Sequence, residues 1–217
     1  MRNGKQFIIN ITAQIVTFVL TFAISFFLTP YVTENLGVEA YGFIGLANNF
    51  VSYASLITVA LNSMAGRFVT IKIYEKDIDG ANRYFTSVMA ANIVISSIIG
   101  VLSIILVLML ERLINVPKEI LSDVKILFSA LLLNCILSTI GSLYNVSIFA
   151  TNKLYIKSVR QLESQILKAG LVLVLFFIFA PKVSFWGVSV LISGLYVLLY
   201  DIYYTKRLLP QIKLKKK

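Results

Sequence analysis

The sequence predicts an all-α, polytopic membrane bundle of about six transmembrane helices, and three observations carry that expectation. Hydrophobic residues make up 58% of the 217 and charged residues only 14%, with a mean hydropathy of +0.85. A soluble domain carries about 25% charged residues, too many for this chain to match and still cover an aqueous surface. The apolar residues are gathered into long blocks instead of being scattered, and the basic residues fall between those blocks in a strongly uneven way.

A hydrocarbon core about 30 Å thick needs a helix of roughly 20 apolar residues, because lipid leaves the backbone no other hydrogen-bond partner. Six blocks satisfy this: residues 7–29, 43–64, 85–110, 126–150, 162–180 and 183–204. The first follows Arg2 and Lys5 as a signal peptide would. It is too long for an h-region, contains Asn10 and Gln14, and ends at Pro30 without a small-residue cleavage site, so it is expected to stay as a mature helix. Pro30, Pro117, Pro181 and Pro210 lie at or beyond block ends, where a missing N–H costs least. Gly37, Gly42 and Gly45 predict a tight, irregular first connection, and residues 67–83 predict a helix lying on the membrane surface. The whole chain reads as one six-helix bundle over 1–217, without a soluble domain or internal repeat.

Charge sets the expected orientation. Of the 20 basic residues, only Arg112, Lys118, Lys125 and Lys182 fall on the side of the odd-numbered connections; the other sixteen share a side with both termini. By the positive-inside rule that side is cytoplasmic, with both ends of the chain there. The net charge of +10 then meets anionic membrane lipids, and nucleic acid is not needed as a partner. Histidine is absent, Cys135 is the single cysteine, and the ten acidic residues are dispersed. Neither a metal centre nor a catalytic acid–base pair is expected, no cofactor is implied, and the chain reads as a non-enzyme.

Polar residues within the blocks form stripes at helical spacing. They are Asn10, Gln14, Thr17, Thr21 and Ser25; Asn48, Ser52, Ser55, Asn62 and Gly66; Asn92, Ser96 and Ser103; Asn134, Ser138, Gly141 and Asn145; and Ser189, Ser193, Tyr196, Tyr200 and Tyr203. Such stripes either line a polar interior or hold helices together by close packing and hydrogen bonds. Lys168 lies inside the fifth block on one face with Gln161, Ser164 and Gln165. A charge at that depth is a candidate site, unless its stem snorkels to the interface. Arg67, closing the second block, either attracts an anionic head group or marks the inner boundary. The tyrosines of the last block suit sugar stacking or an interfacial belt, with the belt favoured at Tyr203 and Tyr204.

The stretch LTPYVTENLGVEAYGFIGLANNFVSYASLITVALNSMAGRFVTI, Leu28 to Ile71, resembles the start of bacterial polysaccharide repeat-unit (Wzx-type) flippases. These belong to the multidrug/oligosaccharidyl-lipid/polysaccharide exporter superfamily. The likeness rests on LTPY ending the first helix, the LG-x-EAYG turn, and an Asn/Ser-rich second helix running into NSMAGRF. TNKLYIKSVRQ after the fourth block is similar to the family's cytoplasmic loop.

The resemblance implies one lobe of a V-shaped transporter in which two six-helix bundles face a cationic cavity. It further implies alternating access that moves an undecaprenyl-pyrophosphate-linked oligosaccharide across the bacterial cytoplasmic membrane, for O-antigen, lipopolysaccharide or capsule synthesis. Arg67 and Lys168 would hold the pyrophosphate while the sugars pass through a wet interior; Asn48, Asn62, Gln14 and Asn145 of the polar stripes are the further candidate substrate-binding residues. Six blocks are half the family's number, so the chain resembles the N-terminal half. Its expected partners are a second six-helix half or a second copy of itself, besides polysaccharide polymerase and glycosyltransferases. The first block lacks the intramembrane Arg and Asp of peptidoglycan-precursor flippases. Two rival readings remain: half of a multidrug-type cation exporter, and a non-transporting scaffold for polysaccharide assembly.

Overall fold

The computed structural model describes residues 2–212 and 214, with side chains at 2, 3, 57, 60, 61 and 65 left aside. The chain is all-α. Six long helices run the length of the bundle: α1 (Arg2–Leu36), α2 (Val38–Tyr74), α3 (Ile78–Leu108), α5 (Leu121–Gly141), α7 (Leu154–Ile178) and α8 (Val183–Leu208). Between them lie the short α4 (Leu110–Leu113) and α6 (Val146–Ala150), and a 3-10 turn at Ser142–Asn145 that joins α5 to α6. Among the described residues, five spans are long and apolar enough to cross a membrane: Gly4–Leu36, Ile78–Leu108, Leu121–Ala150, Leu154–Ile178 and Val183–Leu208. The outer surface is apolar as a bilayer requires, with Phe18, Phe27, Ile98, Leu102 and Phe177 all more than half exposed.

The helices pack α1 on α7, α7 on α8, α8 on α5, and α5 on α2 and α3. Register is fixed by hydrogen bonds between distant segments. Asn10 Nδ2 donates to the Asn152 carbonyl, the Tyr74 hydroxyl to the Ala150 carbonyl, and Asn82 Nδ2 to the Gln211 carbonyl. The start of α1, the α2–α3 turn, the α6–α7 turn and the end of α8 therefore share one end of the bundle. These are the four basic segments that the charge count groups together, and this is called the basic end below.

Two apolar clusters hold the bundle together. Val32, Phe43, Leu110, Phe128, Phe176 and Trp186 belong to the larger one, at the end away from the basic segments. Val69, Phe85, Met89, Leu143 and Val146 belong to the smaller one, near the basic end. The polar faces lie between them.

Local chemistry corrects several sequence expectations. The first connection is a single residue, Gly37, at φ 82 and ψ 156, a region open essentially to glycine alone. Gly42 and Gly45 are inside α2, and Pro30 is inside α1. A helix within a packed bundle tolerates one missing N–H. Residues 67–83 form no separate surface helix: α2 continues to Tyr74 and α3 begins at Ile78. Lys76, at φ 60, makes the turn, and the Asp77 carboxylate caps α3 by accepting from the Gly80 N–H at 2.8 Å. That hydrogen bond and the Lys72 ammonium hold the Asp77 carboxyl below the usual carboxylate range. Lys72 in turn is raised by its bonds to Glu75 and Asp77.

The fourth block is not one continuous α-helix, because the 3-10 turn interrupts it. The fifth helix starts at Leu154, so most of TNKLYIKSVRQ is helix and not loop. Asn152, at φ 53, makes the turn before it, a conformation asparagine adopts readily.

Candidate functional site

Between the two apolar clusters, α2, α5, α7 and α8 enclose a cavity of about 440 Å³. Its polar lining includes Asn48, Asn134, Ser138, Asn145, Lys168 and Asp201. Close helix packing shapes it. A Cβ on Gly194 would come within 1.7 Å of Asn134 Oδ1, so α8 has no side chain where Asn134 rests against it. Asn134 Oδ1 is buried and makes no hydrogen bond, which leaves an acceptor on the cavity wall without a protein partner.

Lys168 supplies the charge. Its Nζ lies 4.9 Å from the centroid of the Trp186 ring, a cation–π contact. Ser164 Oγ donates to the Ser193 carbonyl at 3.3 Å, which sets the register of antiparallel α7 and α8. In that register Trp186 lies farther from the basic end than Lys168 does. The ammonium is therefore directed along the cavity and away from the basic end, against the snorkelling alternative.

At the basic end a second opening of about 210 Å³ is lined by Asn145, Lys157, Arg160, Gln161, Ser164 and Asp201, among others. Asn145, Ser164 and Asp201 are common to both openings. Arg160 on α7 and Asp201 on α8 form a buried ion pair, 3% and 4% exposed. Asn145 Nδ2, from the 3-10 turn, donates to the other Asp201 oxygen at 3.3 Å. Arg160 also donates to the Ile156 carbonyl and has its guanidinium 5.2 Å from the Tyr204 ring centroid. Both charges are thus fully engaged, as burial demands.

A third opening, of about 330 Å³, runs between α1 and α7. Gln14, Thr21, Phe149, Lys157 and Gln161 are among its lining residues, and Lys157 and Gln161 belong to the second opening too. The three openings form one series along α7.

The candidates read from sequence separate accordingly. Lys168, Asn48 and Asn145 line the main cavity, and Gln14 lines the α1–α7 groove. Asn62 accepts from Asn92 Nδ2 at 2.8 Å and donates to the Thr58 carbonyl, a helix-to-helix bond away from the cavity. Arg67 is exposed and lines none of the three openings. The stripe on α1 is largely a joint with α7: Asn10 bonds Asn152 and Tyr155, Thr17 bonds the Ser158 carbonyl, and Ser25 bonds Gln165. Sequence reading missed Arg160, Asp201 and Trp186 as site residues. The signal for Arg160 is its position in the row Lys157, Arg160, Gln161, Ser164 and Lys168, which only a helix starting before residue 157 reveals.

No family model matches the sequence, and no solved structure matches it. The chain is 32% identical over 214 residues to a Bacillus subtilis (strain 168) protein named "Uncharacterized membrane protein EpsK". The alignment covers 98% of this chain and 42% of that protein. This chain is a multi-pass helical membrane protein that spans less than half the length of the curated relative it matches.

Proposed function

We propose that this chain is one bundle of a transporter that flips undecaprenyl-pyrophosphate-linked oligosaccharide repeat units across the bacterial cytoplasmic membrane, for surface polysaccharide synthesis. It acts as a carrier and not as an enzyme. The observation that carries this reading is the cavity itself: a largely polar lining with the Lys168 ammonium on it, inside a membrane bundle. A diphosphate suits a lysine, and carboxamides and hydroxyls suit sugar hydroxyls. A scaffold has no need of such an interior. The resemblance of the Leu28 to Ile71 stretch to polysaccharide repeat-unit flippases points the same way.

The basic end faces the cytoplasm in this reading, so a lipid head group enters past Lys157 and Arg160. A second bundle, supplied by further chain or by another subunit, completes the passage. A cation exporter would need a free acid in the cavity. Asp201 is the acid lining it, and Arg160 neutralises that carboxylate.

The test is Lys168→Ala in the full-length protein, with membrane protein level measured alongside. Surface polysaccharide is expected to fall severalfold. Normal polysaccharide at normal protein level would remove Lys168 and its cavity from the mechanism.

A further inference from the structure

Arg160 stands on the wall of the second opening, which shares lining residues with each of the other two. On α7, Lys157, Gln161, Ser164 and Lys168 are spaced four, three and four residues apart, so they share a face over about 16 Å of helix. Lys157 lines both the α1–α7 groove and the second opening, and Lys168 lines the main cavity. Arg160 lies between these two lysines in sequence, on the wall of the second opening. Among the residues lining the three openings, Asp201 is the one acid, and it belongs to both the second opening and the main cavity. A passage carrying three cations in order is thus interrupted by one carboxylate, tied to the middle cation.

An arginine so placed has two anionic partners available in turn. Its guanidinium matches a carboxylate or a phosphate equally well in shape and charge. The Asp201 carboxylate is anchored independently, because Asn145 Nδ2 donates to it from the 3-10 turn at Ser142–Asn145. A break of this kind within a long helix is a common place for movement.

We propose that the Arg160–Asp201 pair is an exchangeable latch. An anionic diphosphate head group arriving past Lys157 takes Arg160 from Asp201, while Asn145 on the 3-10 turn keeps hold of the freed carboxylate beside the main cavity. Asp201 is thus a built-in competitor of the cargo, and Arg160 is a binding residue for it. This rests on the reading of the cavity as a site for a lipid diphosphate.

The experiment is calorimetric titration of inorganic pyrophosphate into the full-length protein, purified with its second bundle, in nanodiscs of zwitterionic lipid. Wild type, Asp201→Asn, Arg160→Gln and Arg160→Lys are compared. Folding of each is followed by far-ultraviolet circular dichroism and its thermal melt. The latch predicts opposite signs. Asp201→Asn binds pyrophosphate about tenfold more tightly than wild type, Arg160→Gln about tenfold more weakly, and Arg160→Lys recovers part of the loss. If Asp201→Asn does not fold, Asn145→Ala takes its place, and a smaller tightening is expected. Wild-type protein that binds pyrophosphate while Asp201→Asn, or Asn145→Ala in its place, gives no gain in affinity would overturn the latch alone. Wild-type protein that does not bind pyrophosphate would overturn the functional reading and the latch together.

Discussion

At the scale of single residues, the membrane interior makes charge conspicuous and pairing invisible. Lys168 is legible in the sequence because an ammonium inside an apolar block has few structural excuses. Arg160 and Asp201 are not, since each lies near a block edge and only the α7–α8 register brings them together. The polar stripes divide on the same ground. Asn10, Thr17 and Asn62 spend their hydrogen bonds on neighbouring helices, whereas Asn48, Asn134 and Lys168 face the cavity. Spacing alone does not separate the two uses, because both put polar groups on one helical face. Gly187 offers a test at this scale. Gly187→Ala sets a methyl 2.9 Å from the Leu127 Cα, where α8 meets the backbone of α5 and no flexible side chain can move aside. Overpacking of this kind costs about 1–3 kcal/mol. The variant is expected to unfold at a lower temperature in a detergent melt, and an unchanged melting temperature would show that α5 and α8 do not approach this closely.

At the scale of elements, hydropathy finds where a chain is apolar, and a helix continues wherever its backbone bonds are satisfied. Each of the six blocks falls on a long helix, with the 3-10 turn dividing the fourth, while their bounds are displaced. α1 runs through Pro30 to Leu36, and α7 starts eight residues before its block, across polar Lys157, Arg160 and Gln161. The segment read as a surface helix shows the same effect, since its alternating charges belong to the ends of α2 and α3. There the turn depends on the Asp77 cap. A carboxyl with a lowered pKa stabilises the fold at pH above its unfolded value, and that contribution is lost as pH falls through the folded value. Asp77→Ala is therefore expected to melt below wild type at pH 7, and the gap should close in acid, below the ordinary carboxylate range. A gap that persists there would assign the effect of Asp77 to something other than its charge.

At the scale of the whole molecule, the bundle inverts the pattern of a soluble protein, with large apolar side chains outside and a polar-lined chamber inside. The grouping of four basic segments at one end was legible from charge alone, because loop lysines and arginines follow topology. The connection of the chamber to that end was not, since it depends on how α7 turns its polar face between α1 and α8. The account stands on that chamber being wet and open toward the basic end. Cys135, the single cysteine of these 217 residues, is buried and can be replaced by serine, together with any cysteine elsewhere in the full-length protein, to give a thiol-free background. In it, Ser138→Cys places a thiol on the cavity wall and Phe177→Cys places one on the lipid face, where Phe177 is 91% exposed. The decisive measurement is the labelling rate of each by a membrane-impermeant maleimide, in inside-out and right-side-out vesicles of the full-length protein. The account predicts that Ser138→Cys reacts at least about tenfold faster in inside-out vesicles, where the basic end meets the reagent, while Phe177→Cys stays unlabelled in both. A cavity thiol as inert as the lipid-facing one would contradict it, and would leave the polar faces as helix-packing contacts alone.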